Sequence, residues 1–197
     1  MQNKFNNLID TYLSNKIGIS SDFLSLSLTA QLRNNIKLLS DNHQFAKANI
    51  GNNDLNHNDL LIRSGQIYWL DRKNGNPSED AFLSIMDQLV IFLNETCFTG
   101  IISYEFHYAI YEIGDFYLKH LDQFKNDSKR AFTILFYLNE DWEPADGGEL
   151  CIFDQLEIQL IPPTNQKCVF FKSNEIYHSV LTTQKQRLSI AGWLKVR

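Results

Sequence analysis

The chain has 197 residues, 44% of them hydrophobic, 21% charged and 13% aromatic, a composition that supports one well-buried core and excludes a disordered polymer. Eighteen Lys and Arg against 23 Asp and Glu leave a formal charge of −5, which argues against nucleic acid or an anionic membrane as principal partner, because both are met by clustered positive charge. No apolar run approaches the roughly 20 residues that cross a bilayer, the opening Met1-Gln2-Asn3-Lys4 lacks the pattern of a secretory leader, and Cys97, Cys151 and Cys168 have no C-x-x-C spacing. Neither a disulfide framework nor a Cys-rich zinc site follows from them, and a reducing cytoplasm is the expected compartment.

Phe5, Leu8, Ile9, Tyr12 and Leu13 recur at the three-and-four spacing of an amphipathic helix, as do Leu24, Leu28, Leu32, Ile36 and Leu39. The spacing predicts helix through the first forty residues, within a helical N-terminal part at 1–45. Asn49-Ile50-Gly51-Asn52-Asn53-Asp54 opens a stretch too polar for core, so 46–59 is expected to be a mobile loop. Ile62 to Leu70 is β-prone and ends in a turn-rich segment. Ser78 is expected to cap a helix with an apolar stripe of Phe82, Ile85, Met86, Leu89 and Leu93, ending near Cys97. From Ile101 the period changes. Short β-branched and aromatic runs occupy 101–112, 116–121, 131–138, 149–153, 156–161, 167–172, 176–182 and 187–196, separated by turn residues. About eight short strands at this spacing predict a closed or double-sheet β architecture. The expected layout is a single domain over 1–197, mainly β with supporting helices: 1–45 helical, 60–100 a strand and a helix, 101–197 the β-core.

His120-Leu121-Asp122 places an imidazole and a carboxylate at i and i+2, on one side of a strand or its exit turn. His178 lies in a late strand. Two neutral imidazoles and one carboxylate on one face of Fe(II) leave three positions open, as in non-haem iron oxygenases. His-x-Asp alone is unspecific, and a lone histidine is more often a surface or hydrogen-bonded core residue. Arg187 adds weight, because it falls in the apolar strand around Leu188-Ser189-Ile190-Ala191-Gly192-Trp193, where a guanidinium is costly without an anion. There it can bind a carboxylate bidentately; the alternative is an edge-strand arginine reaching solvent.

Taken together, Tyr111 to Asp122, Arg130 to Trp142, Gly147-Gly148-Glu149-Leu150, and His178 with Arg187 resemble the 2-oxoglutarate- and Fe(II)-dependent oxygenases of the prolyl 4-hydroxylase type. Ile62-Arg63-Ser64-Gly65-Gln66-Ile67-Tyr68-Trp69-Leu70 is similar to the segment before the core in the hypoxia-inducible-factor prolyl hydroxylases and their bacterial relatives. The resemblance covers about residues 60–197. It implies a double-stranded β-helix (jelly-roll) core with the N-terminal helices packed on one sheet. It implies His120, Asp122 and His178 as iron ligands, Arg187 as partner of the distal carboxylate of 2-oxoglutarate, Tyr137 as phenol donor to that carboxylate, and Thr133 lining the same pocket. Trp193 would back the iron site, Tyr111 would wall the entrance, and Arg63 would lie on the substrate side; the bland alternative for Tyr137, Trp193 and Tyr111 is ordinary strand aromatics.

The implied cofactors are Fe(II), 2-oxoglutarate and O₂, with ascorbate as stimulant. The implied reaction is C4 hydroxylation of a prolyl residue in a protein, with formation of succinate and CO₂. The bacterial members point to elongation factor Tu as target, and segment 49–59 corresponds to a lid over the peptide. Two alternatives stay open: the same chemistry on a small molecule or free amino acid, and a non-catalytic β-barrel sensor or binding domain, against which the intact ligand set speaks.

Overall fold

The computed structural model describes residues 1–48, 63–123, 127–153 and 157–197. Its first helix, α1 (Gln2–Asn15), buries Phe5, Leu8 and Ile9, whereas Leu13, expected on that stripe, is exposed. Lys16 ends α1 in a left-handed conformation, its amide donating to the Tyr12 carbonyl, and the chain turns directly into strand β1 (Ile17–Ser20). The first forty residues are therefore two helices separated by a strand. Gly18 makes this possible: a Cβ there would stand 2.7 Å from the Leu8 carbonyl oxygen, so only glycine lets β1 lie this close beneath α1. The second helix, α2 (Leu26–Asp41), is capped by Ser25, which accepts from the Leu28 amide, and buries Leu28, Leu32 and Ile36 as the spacing predicts.

The expected loop at 46–59 is corrected at its start, since Ala46–Lys47 form β2, paired with β3 (Gln66–Trp69). The remainder, 49–59, lies outside the described residues. Strand β3 is also shorter than the expected 62–70, because Gly65 has φ 105° and interrupts extended pairing; upstream of it Arg63 makes a single bridge to Tyr117. Helix α3 (Pro77–Cys97) starts two residues earlier than expected. Asn76, not Ser78, is its cap, accepting from the Ser78 and Glu79 amides at 2.9 and 3.1 Å. Proline at the first helical position needs no partner for an absent N–H and is preset for helix, which moves the start to Pro77.

Eight strands follow: β4 (Ser103–Tyr111), β5 (Tyr117–His120), β6 (Arg130–Tyr137), β7 (Leu150–Phe153), β8 (Ile158–Ile161), β9 (Cys168–Lys172), β10 (Tyr177–Val180) and β11 (Arg187–Lys195). They assemble with the first three into a seven-stranded sheet, β1-β9-β6-β11-β4-β3-β2, and a four-stranded sheet, β5-β10-β7-β8. Together they form the double-stranded β-helix that the eight runs and the resemblance led us to expect. Period-two alternation divides the large sheet. Phe106, Tyr108, Ile110, Ile134, Phe136, Phe170, Leu188 and Ile190 face the helices and share one core with Leu8, Leu32, Ile36, Phe82 and Met86. The opposite face presents His107, Ala109, Tyr111, Thr133 and Arg187 toward the small sheet, around a cavity, with Tyr137 packed behind it against Leu150 and Phe171. A one-residue slip of any of these strands would exchange the two sets, so burial of the helix-side core fixes which side chains reach the cavity.

Candidate active site

Strands β5 and β10 run antiparallel with His120 directly opposite His178. Asp122 follows two residues beyond His120, just past the strand end, and is buried. Its Oδ1 lies 3.5 Å from His120 Nε2 and its Oδ2 3.4 Å from His178 Nε2, and one ligand atom from each residue falls within 4.8 Å of the others. Both imidazoles are oriented by backbone: Nδ1 of His120 is 2.7 Å from the Leu118 carbonyl oxygen and Nδ1 of His178 is 3.1 Å from that of Ile176. A carbonyl only accepts, so Nδ1 carries the proton in each ring and the Nε2 lone pairs point at the carboxylate.

Burial works against ionising Asp122, but His178 and His120 beside it and the Thr133 hydroxyl hold its carboxyl well below the usual range. Burial pushes His178 down to about 4, opposed by Asp122 and reinforced by His120, so this ring is neutral at pH 7. One carboxylate and two imidazole Nε2 atoms thus converge on one point, an arrangement that a divalent cation can fill. The one-carboxylate, two-imidazole donor set fits Fe(II).

Thr133 faces the cavity as expected, but its hydroxyl is committed to the triad. It donates to Asp122 Oδ2 at 2.7 Å and lies 2.9 Å from the hydroxyl of the fully buried Ser173. Ser173 was not apparent from the sequence, since only the return of β9 brings it beside β6. His120 stacks on Tyr117, with centroids 3.5 Å apart, and His178 meets Phe171 edge-on.

Arg187 opens β11, an interior strand between β6 and β4, and is 2% exposed, which disposes of the edge-strand alternative. Its Nε donates to the Gly148 carbonyl at 2.9 Å and one terminal nitrogen to the Ser189 hydroxyl at 3.3 Å. No carboxylate among the described residues pairs with it. The guanidinium sits 5.0 Å from the ring of Tyr137 and 5.2 Å from that of Tyr111. Tyr111 lines the cavity beside Arg187. The Tyr137 hydroxyl is buried without a hydrogen-bond partner among the described residues, and burial, partly offset by the charge of Arg187, pushes its phenol up to about 12. A buried cation with no carboxylate beside it among the described residues thus stands next to a buried phenolic donor.

The other end of the cavity is lined by Arg63, Trp69, His107, Arg130 and Trp193. Arg130 pairs with Glu105 at 2.8 Å and stacks on Trp193 at 3.5 Å from the ring centroid. Arg63 lies over Tyr117, its Nε buried and, like the Trp193 indole nitrogen, without a partner among the described residues. Trp193 shares the cavity with the triad, opposite Thr133 in the sheet. His107 was missed by sequence reasoning, although the alternation His107, Ala109, Tyr111 could have placed it on the cavity face. Burial and then the charge of Arg63 lower it to about 3. An unfolded chain, with the ordinary value near 6.5, takes up a proton that the folded chain refuses, so His107 makes stability fall as pH drops from about 6.5 toward 3. The advantage of His107→Leu over wild type is therefore expected to grow by up to ~1.4 kcal/mol per pH unit below 6. Urea midpoints at pH 7, 5.5 and 4.5 check this, and a constant gap between the two proteins contradicts it.

A double-stranded β-helix that gathers two histidines, one aspartate and a buried arginine around a single cavity defines an iron oxygenase of the 2-oxoglutarate-using class. Residues 106–195 match the 2OG-Fe(II) oxygenase superfamily. The structure superposes on a Pseudomonas putida prolyl-4-hydroxylase with a TM-score of 0.88 and 31% identity, covering 98% of this chain and 99% of that one. A prolyl hydroxylase from Trichoplax adhaerens, solved with a hypoxia inducible factor oxygen degradation domain peptide, shares the fold at TM-score 0.87 and 23% identity, over 98% of this chain and 90% of that chain. Mouse Egl nine homolog 1 is 28% identical over 193 residues, spanning 91% of this chain and 47% of that protein. The chain thus spans about half the length of this curated relative. It belongs to the 2-oxoglutarate- and Fe(II)-dependent oxygenases of the prolyl 4-hydroxylase type. No helix among the described residues is long and apolar enough to cross a membrane.

Proposed function

We propose that the protein is a peptidyl-prolyl 4-hydroxylase that consumes 2-oxoglutarate and O₂ and releases succinate and CO₂. The observation that carries this reading is the buried Arg187 guanidinium, without a carboxylate partner among the described residues, in the cavity that holds His120, Asp122 and His178. The three side chains would hold Fe(II), which when bound supplies the redox step that couples oxidation of 2-oxoglutarate to insertion of one oxygen atom into a C–H bond. Leu118 and Ile176 carbonyls keep the Nε2 lone pairs inward, and Thr133 with Ser173 fixes Asp122. Arg187 and Tyr137 bind the distal carboxylate of 2-oxoglutarate and orient its other end toward the triad. Trp69, Trp193 and Arg63 border the substrate side, where an apolar pyrrolidine ring can rest on indole faces. The proposed target is a soluble protein in the cytoplasm, with elongation factor Tu as the first candidate from the bacterial members of the group.

The test incubates purified protein with Fe(II), ascorbate, 2-oxoglutarate and either elongation factor Tu or a proteome extract from its own source. Peptide mass spectrometry then looks for prolines gaining one oxygen, with His178→Ala as control. Hydroxyproline that depends on His178 is the expected result. Succinate without any modified protein residue would move the substrate to the small molecules, and unmodified elongation factor Tu beside modified extract proteins would remove that target alone. Tyr137→Phe deletes one buried donor without altering shape. It is expected to raise the 2-oxoglutarate requirement about three- to tenfold, the worth of one hydrogen bond, with iron binding unchanged. An unaltered requirement in a titration of turnover against 2-oxoglutarate takes Tyr137 out of the carboxylate site.

A further inference from the structure

His107 lies outside the His120-Asp122-His178 cluster, yet its placement is expensive. It lies in the middle of β4, 1% exposed, with Trp69 and Ala191 as its cross-strand neighbours. Its ring centroid is 5.0 Å from that of Trp69 and 5.3 Å from that of Trp193. Neither ring nitrogen has a hydrogen-bond partner among the described residues, and the side chain lines the cavity. Buried polar groups in folded proteins are almost always paired, because an unpaired one forfeits its water without compensation. A leucine of similar size would sit among Trp69, Ala191 and Trp193 at less cost. The position therefore holds a polar group whose partner is brought by something entering the cavity.

The chemistry of the group narrows what that is. Its lowered proton affinity leaves the imidazole neutral at pH 7, with one N–H donor and one lone-pair acceptor on opposite sides of the ring. A carboxylate offers acceptors only and an ammonium donors only, so either would leave one nitrogen unpaired. Arg63, whose charge acts on His107, also disfavours an ammonium. Polypeptide main chain offers both kinds of group in alternation. A prolyl residue lacks an N–H, so around the target the main chain is rich in acceptors, matching two further donors at this end of the cavity that have no partner among the described residues, Arg63 Nε and Trp193 Nε1.

We propose that His107 is a substrate-binding residue that pairs through both ring nitrogens with main-chain groups flanking the target residue, and so selects a peptide segment over a free amino acid. This rests on the peptidyl-prolyl reading above.

The test compares wild type, His107→Leu and His107→Gln, loaded with Fe(II), 2-oxoglutarate and ascorbate, on a synthetic library of end-blocked, proline-centred heptapeptides. Hydroxylation is read by mass spectrometry and thermal melting is recorded in parallel. His107→Leu is expected to lower kcat/KM at least tenfold, chiefly through KM, while its Tm equals or exceeds that of wild type. His107→Gln, which restores a donor and an acceptor, is expected to recover at least threefold of the loss. A packing role would not produce a variant that melts higher and binds worse. His107→Leu with wild-type KM overturns the proposal, and so does a loss that accompanies a lowered Tm and that glutamine does not reverse. A wild-type enzyme that oxidises no proline in the library overturns the peptidyl-prolyl reading and this assignment with it, whereas failure of the assignment alone shows only in the variants.

Discussion

Asp122→Asn is expected to lose turnover by roughly a thousandfold or more and to lose tight iron binding, with the fold kept. The substitution preserves shape and an acceptor for the Thr133 hydroxyl, now 2.7 Å from Oδ2, but removes the single negative charge toward which both Nε2 lone pairs converge. Without that charge the site offers Fe(II) two neutral imidazoles and an amide. Outer partners of metal ligands typically cost 10–100-fold when removed, and a charged ligand exceeds them. Thr133→Val provides the graded comparison. It leaves Asp122 ionised but untethered, and should fall in the 10–100-fold range. Iron content by metal analysis, circular dichroism and peptide-dependent succinate formation measured on both variants decide the matter. Asp122→Asn with wild-type turnover would dissolve the metal assignment, and Thr133→Val as damaging as Asp122→Asn would make Thr133 more than a tether.

The β-core was legible because each strand after Ile101 is bounded by residues that stop pairing, such as Gly147-Gly148 and Pro162-Pro163, and the alternation inside each run states which face is apolar. His120, Asp122, His178 and Arg187 were legible because their order and spacing carry the family resemblance. Strand β1 was not, since Ile17 continues the three-and-four spacing from Leu13 and looks locally helical. Its strand state comes from pairing with β9, Ile17 opposite Phe171 and Ser20 opposite Cys168, a contact no local window contains. Asn76 as the helix cap is signalled in the sequence by Pro77 immediately after it, a cue that outweighs the favourable residue type of Ser78. Thr133 could be placed on the cavity face by counting, yet its commitment to Asp122 and Ser173 required three distant segments to meet. His107 carries no motif. What marks it is the lack of partners around it, and that exists only in three dimensions.

Arg187→Met is expected to raise the dissociation constant for 2-oxoglutarate by at least ~30-fold, since removing one member of a buried charge pair costs about 2–5 kcal/mol of binding. Iron binding is expected to persist, because the triad is organised by Leu118, Ile176 and Thr133 and not by this residue. The same variant should melt no lower than wild type. In the free protein the guanidinium is 2% exposed and bonded to the Gly148 carbonyl and the Ser189 hydroxyl, with no carboxylate among the described residues to offset its desolvation. Met keeps an unbranched stem between the Tyr111 and Tyr137 rings and dispenses with the charge. Arg187→Lys separates charge from shape: an ammonium keeps the former but cannot reproduce the fork that holds the Gly148 carbonyl and a carboxylate together, so its affinity should lie between the two. Calorimetric titration of 2-oxoglutarate into the three metal-loaded proteins, paired with thermal melts, reads both expectations. Equal affinities would place the co-substrate carboxylate elsewhere. A large drop in Tm for Arg187→Met would mean that the arginine is held for the fold, and the lack of a carboxylate beside it would then need another cause than a ligand that brings its own.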